Sequence, residues 1–277
     1  MKTVFAVMMD LLREAASRKW FLGLALAITL GLGTLGFSLK LEVVDGALAA
    51  TRLFGNVDNV IMSVDVFLQP IFRAAAYLTF YGGLVFGIVA CADFAPSLLA
   101  PGRIEHLLSL PVKRWHLLLG TFLGVLVLAL MAALYGAGGF TLLFGIKSGV
   151  WTWGPLLAGL LAAVTFAAIY AAMLTSALVV RNAAVSAGVG FVLFGTGILA
   201  GYRASLAPMF EEGLGREAFK AVTLMLPRVS ALADAGAAIA ASAPLEVRSL
   251  TSLIAGVFVF GLGLLAVGAW HFEQKDF

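Results

Sequence analysis

Charge is what this sequence has least of. Only 12% of its 277 residues are Asp, Glu, Lys or Arg, against about 25% in an ordinary soluble domain. So few charges cannot cover a water-facing surface. With 62% hydrophobic residues and a mean hydropathy of +1.04, the chain reads as an integral membrane protein, which excludes disorder and a coiled coil. Cysteine is equally scarce. The single Cys91 excludes an internal disulfide and a cysteine-based metal cluster. The formal charge of +3 is too small to point to nucleic acid, and the slight excess of Lys and Arg bears instead on membrane topology. The alternating pattern of barrel strands is missing from the long apolar runs, which excludes an outer-membrane barrel.

What is present is helix-length apolar sequence. A helix needs about 20 apolar residues to cross the hydrocarbon core. Six runs qualify: Trp20–Leu39, Ile71–Ala92, Leu117–Ile146, Trp153–Val180, Ala183–Gly201 and Ser249–Trp270. Six spans place both termini on one side. Lys and Arg divide equally between the two sets of connections, but the set on the side of the termini is shorter and holds them more densely. That density, and the larger share of acids in the other set, favours cytoplasmic termini. The first 19 residues include Asp10 and Glu14 and no small-x-small cleavage site follows, so they are not read as a signal peptide. The fold class expected is therefore an all-α integral membrane protein, one domain over 1–277, with two larger outer connections at 40–70 and 202–248.

Four segments outside the spans carry information. Val4, Phe5, Met8, Leu11, Leu12 and Ala15 form one apolar stripe at helical spacing. A helix of that kind lies in the membrane interface, with Arg18, Lys19 and Trp20 marking where the chain turns into the bilayer. In the inner connection between spans two and three, Pro101 suits a first helical turn and Pro111 blocks continuation, so a short helix is expected over about 102–110. Its apolar residues would face the bundle and leave Arg103, Glu105, His106 and Ser109 to the cytoplasm. In the outer connection, Met209–Ala221 and Val229–Ala241 read as short helices separated by Pro227, too apolar for free exposure to water. The patch at 40–70, where Phe54, Val60, Ile61, Val64 and Phe67 are interspersed with Asp58 and Asp65, would meet a partner or lie on the membrane.

The run Gly102-x-Ile104-Glu105-x-Leu107-Leu108-Ser109-x-Pro111-Val112-x-Arg114, followed by Leu118-Leu119-Gly120, resembles the signature of ABC transporter permeases of the type-2 exporter family. Its nearest flavour is the group linked with multicopper-enzyme and nitrous-oxide-reductase maturation. Two positions differ from that pattern: Arg103 replaces the common Thr, and Thr121 stands where Lys is usual. The resemblance covers most of the chain, including the interfacial helix, the six spans, the outer connection before the last span and the tail Phe272–Phe277. It implies a type V ABC fold in the inner membrane. Two such permeases would pair, as a homodimer or with a sister permease, and each would dock one ATPase subunit. Arg103, Glu105, His106, Ser109 and Arg114 would form the coupling helix and its docking contact. No phosphate-binding loop of the form Gly-x-x-x-x-Gly-Lys-Ser/Thr occurs, so ATP and Mg would belong to the partner subunit and this chain needs no cofactor of its own.

The spans hold almost no ionisable residue at depth: Arg73 lies near one end of span two and Asp93 near the other. That argues against an ion-coupled pump, which needs a site within the membrane. Tyr77, Thr79, Tyr81 and Tyr170 are the leading candidates for a polar pathway wall. Gly31, Gly33 and Gly36 in span one, and Gly188 and Gly195 in span five, are candidates for helix packing or for a dimer face. His106, His116 and His271 are widely separated, and no catalytic or metal motif accompanies them. The expected function is the non-catalytic membrane subunit of an ATP-driven exporter. Two alternatives stand beside it: a mechanotransmission subunit that moves a periplasmic partner without carrying solute, and a gradient-driven secondary transporter.

Overall fold

The computed structural model describes residues 2–44, 47–53, 56–58, 62–99 and 113–274. Its helices are α1 (Lys2–Ser17), α2 (Lys19–Ser38), α3 (Val64–Cys91), α4 (Phe94–Leu98), α5 (Arg114–Ser148), α6 (Gly154–Val180), α7 (Ala183–Gly201), α8 (Arg203–Leu206), α9 (Leu214–Met225), α10 (Val229–Ala240) and α11 (Val247–Gln274). Six of them, α2, α3, α5, α6, α7 and α11, are long and apolar enough to cross a membrane. They coincide with the six runs in the sequence, so the chain is a multi-pass, all-α membrane protein.

Local sequence sets most of the helix ends. Gly149, left-handed at φ 72°, closes α5, and Pro155 sits in the first turn of α6, where its missing N–H is not needed. The tight turn between α6 and α7 uses Arg181 in the left-handed region (φ 54°). Asn182 then caps α7, its side-chain oxygen accepting from the backbone N–H of Ala184 at 2.8 Å and of Val185 at 3.4 Å.

Two ends of the bundle can be told apart. At the terminal end, the Arg114 Nη1 donates to the carbonyl of Phe272 at 3.1 Å, tying the start of α5 to the end of α11. Helix α1 lies against α5 here. A Cβ added at Gly120 would meet Val7 at 2.6 Å and the Val4 carbonyl at 3.0 Å, and one at Gly124 would meet Leu11 at 3.1 Å. The Gly-x-x-x-Gly pair of span three is thus the seat of the amphipathic N-terminal helix. At the opposite, far end lie the connection from α2 to α3 and the segment from α8 to α10. The first of these holds a small antiparallel sheet, β1 (Leu39–Val44), β2 (Ala47–Leu53), β3 (Asn56–Asp58) and β4 (Met62–Ser63). Strand β2 pairs with the other three, with Lys40 opposite Arg52 and Thr51 opposite Asp58. No strand was expected at 40–70. The alternation Leu39-Lys40-Leu41-Glu42-Val43 has the two-residue period of a strand and accounts for the difference.

The centre of the bundle is α6. It touches α3, α5, α7, α10 and α11, and 72% of its apolar stretch is buried, against 0% for α2 and 17% for α11. Hydrophobicity does not drive helix association inside lipid, so close packing has to. The sequence of α6 supplies it with Ala158, Gly159, Ala162, Ala163, Ala168, Ala171, Ala172 and Ala177, all buried. Its neighbours answer with glycines: added Cβ atoms at Gly261 and Gly268 of α11 would meet Ala168 at 3.3 Å and the Thr175 hydroxyl at 2.8 Å. The Thr175 hydroxyl also donates to the Leu264 carbonyl at 3.0 Å.

Two glycines of α7 test this packing. A Cβ at Gly197 would collide with Val229 and come within 2.9 Å of the Pro227 carbonyl, whereas nothing lies within 4 Å of one at Gly195. Gly197→Ala is expected to lower stability by about 1–3 kcal/mol, the usual cost of overpacking. Gly195→Ala is expected to be neutral or mildly stabilising through helix propensity. Thermal unfolding of the two variants in detergent or lipid checks both.

Candidate functional site

Helix α10 is not a loop on the surface. Val229, Ser230, Leu232, Ala233, Ala237 and Ala240 are all at most 1% exposed, and the helix lies across the far ends of the spans. Its first turn sits on the end of α7, where the Ser230 hydroxyl donates to the Ile198 carbonyl at 2.8 Å. Its last turn sits on the start of α6, where a Cβ at Gly154 would meet the Ile239 carbonyl at 2.5 Å. Pro227 separates it from α9, and the two axes meet at 56°. The sequence reading placed the second outer helix at Val229–Ala241, in agreement with α10. The first, expected at Met209–Ala221, begins later: Ala207–Met209 is a 3-10 turn and α9 runs over Leu214–Met225.

One side chain of α10 is ionisable. The carboxylate of Asp234 accepts a hydrogen bond from the Tyr77 hydroxyl at 2.7 Å, joining α10 to α3. The Tyr77 ring is stacked on Tyr81, centroids 6.2 Å apart and planes within 6°. Tyr81 in turn meets Phe194 of α7 edge-on at 6.1 Å. Tyr77 lies on α3 one helical turn, about 6 Å, from Arg73, within the apolar span Val66–Leu98. Beyond α10, burial and then the nearby charge of Arg203 pull the Arg228 guanidinium below its usual value. On α9, the hydrogen bond from Lys220 (2.7 Å) and its charge hold Glu217 below the usual carboxylate range. That pair is exposed and adds little to stability.

A second cluster lies at the terminal end. Arg18, between α1 and α2, donates to Glu14 at 2.6 Å and to Asp93 at 3.2 Å. Its guanidinium also lies 4.4 Å from the Phe94 ring centroid. One arginine thus joins the interfacial helix, the entry to span one and the exit from span two.

The residues proposed from sequence fall into distinct places. Arg103, Glu105, His106 and Ser109 lie outside the described residues. Arg114 lies at the start of α5, bonded to Phe272. Tyr77 and Tyr81 come together on α3, with the half-buried Thr79 between them in sequence. Tyr170 corrects the pathway-wall reading: it is 1% exposed and packs in the core against Phe122 and Phe166. Gly31 and Gly33 face open space, as do Gly188 and Gly195, whereas a Cβ at Gly36 would meet Leu143 at 3.0 Å. Gly36 is therefore an internal packing position. Gly188 lines an apolar groove of about 650 Å³ between α6, α7 and α11, with Val185, Val192 and Leu264. Among the described residues no group of three or more His, Cys, Asp or Glu side chains could hold a metal ion.

Asp234 is the residue that sequence reasoning missed. It is the one acid in an otherwise apolar twelve-residue helix. That signal is legible once the rule for buried ionisable groups is applied to the connection as well as to the spans.

No protein-family model matches the chain, and no curated protein matches it.

The Tyr77 hydroxyl ties α10 to α3 through a charged acceptor, an interaction worth about 1.5–3 kcal/mol. Tyr77→Phe is expected to loosen α10 and leave the ring stacking intact. Faster amide exchange across 229–240, with α6 unchanged, is the expected readout.

Proposed function

We propose that the chain is the permease subunit of an ATP-driven ABC exporter with both termini in the cytoplasm of the inner membrane. The observation that carries this reading is the way the segment 102–110 is bracketed. On one side Asp93 is held by Arg18 and through it to Glu14 of α1. On the other Arg114 is held to the end of α11. A push on this segment from an ATPase closing on ATP is therefore delivered to α1, α3, α5 and α11 together. The signature residues Gly102 to Arg114 support the same reading. A two-permease, two-ATPase complex follows from it, as a homodimer or with a sister permease, with Gly188 and Gly195 of α7 on an open face suited to pairing.

In this mechanism α10 is the outer cap. It is held by close backbone contacts to α6 and α7, and by apolar packing and the Tyr77–Asp234 hydrogen bond to α3. A shift of α3 against α6 moves the cap and opens the far end. A second reading, mechanical action on a periplasmic partner without solute transport, is favoured by α9, whose Leu214, Val222 and Met225 are exposed on one face.

The experiment is gentle purification of the tagged protein from its native membrane, with identification of what accompanies it and an assay of vanadate-sensitive ATP hydrolysis. An ATPase subunit in near-equal amount is the expected result. A lone chain whose activity follows an ion gradient at constant ATP overturns the reading in favour of a secondary transporter. Replacement of Arg103, Glu105 and His106 together by alanine is expected to release the ATPase subunit while leaving the six-span protein folded. Retention of the ATPase by that variant would show docking elsewhere.

A further inference from the structure

We propose that Asp234, with the stacked rings of Tyr77 and Tyr81, forms a recognition site for a lipophilic organic cation at the outer end of the bundle.

Asp234 is exposed on the open side of α10, and its hydrogen bond is the one from Tyr77. No ion pair engages it among the described residues. A carboxylate held against an apolar span by a residue of that span does not face hydrocarbon without a compensating charge or water. The face shared by α3, α7 and α10 therefore borders a wetted or ligand-filled space, not lipid.

What surrounds the carboxylate selects the ligand. The Tyr77 hydroxyl is turned into Asp234, so its ring lies beside the negative charge, and the Tyr81 ring is stacked on it and braced edge-on by Phe194. Aromatic faces attract cations, most strongly where water is excluded. The ring quadrupoles and the carboxylate thus favour the same sign of charge. A metal ion is a poor occupant, because a hard cation requires several oxygen ligands and no acid cluster occurs among the described residues. Arg203 and Arg228 stand at the starts of α8 and α10 and do not pair with Asp234. They repel a cation arriving from outer water. Entry from the bilayer side remains open, and it favours a charge carried on an apolar body.

The site deepens the transport reading by naming a class of cargo and rests on that reading for its purpose, but binding is measured without ATP or an ATPase. The purified full chain in zwitterionic nanodiscs is titrated calorimetrically with tetraphenylphosphonium and with the isosteric anion tetraphenylborate, and empty discs are subtracted. Saturable binding of the cation alone is expected. Asp234→Asn is expected to weaken it at least ten-fold, Asp234→Glu to restore much of it, and Tyr81→Leu to weaken it several-fold. Glu212→Gln, on the exposed segment before α9, is expected to bind as the wild type does. Thermal unfolding of each variant identifies those that have lost the fold, and Tyr81→Leu leaves the Tyr77–Asp234 bond in place if Asp234→Asn has done so. Absence of saturable binding, equal binding of the anion, or unchanged affinity in folded Asp234→Asn and Tyr81→Leu overturns the site. If the cation binds as expected but no ATPase accompanies the native protein, the site stands and the ABC reading falls.

Discussion

Close backbone approach to α6 is the constraint on which the rest of the bundle depends. Inside lipid, burying a leucine gains little over leaving it in the acyl chains, so helices hold together where their backbones come near enough for dense contact. Helix α6 is built for this along its whole length. Its alanines meet glycines of α11, its Gly159 meets Ala137 of α5, and its Gly154 meets the backbone of α10. Larger residues at these positions would separate the helices by the width of a side chain. The few interhelical hydrogen bonds, such as Thr175 to Leu264 and Ser230 to Ile198, then fix the register of surfaces that packing has already brought together.

This arrangement divides the chain into a rigid part and a more loosely held part. Helices α5, α6, α10 and α11 share the small-residue contacts. Helix α3 also packs on α6 and α10, and it meets α5 through larger side chains, where Phe72 lies edge-on to Phe140 and Phe144. Aromatic contacts of this kind tolerate sliding better than a glycine held against a carbonyl oxygen. Helix α2 is the most loosely held of the spans, with none of its apolar length buried, while movement of α3 along this aromatic seam acts on the hydrogen bond between Tyr77 and Asp234.

The six spans were legible in the sequence because continuous apolar length is a strong signal, and they agree with the structure to within a few residues at most ends. The short helix Val229–Ala241 was legible for a related reason, since Pro227 and Pro244 bracket an apolar run. Other features were hidden by the way sequence patterns are read. The strands at 39–63 are too short and too locally paired to stand out beside 20-residue helices. The seat at Gly120 and Gly124 was hidden because its occupant is α1, more than a hundred residues earlier. Tyr170 and Tyr77 look alike in sequence, each a tyrosine in an apolar helix. Only the position of α6 at the centre of the bundle separates a core ring from one on an open face. Asp234 was visible as a residue but not as a site, because its meaning comes from Tyr77, 157 positions away.

The seating of α1 on α5 also has a consequence for the order of assembly. The apolar stripe of α1 is made first, but its resting place, Gly120 and Gly124, is synthesised only after two spans and their connections have left the ribosome. Helix α2 offers no substitute, because it contributes almost nothing to the packed interior. Until span three enters the bilayer, the N-terminal helix has only the lipid headgroups to lie on. The amphipathic character that reads as a membrane anchor is thus a requirement of biogenesis as well as of the finished fold: it parks the first helix at the interface until the groove it belongs in exists.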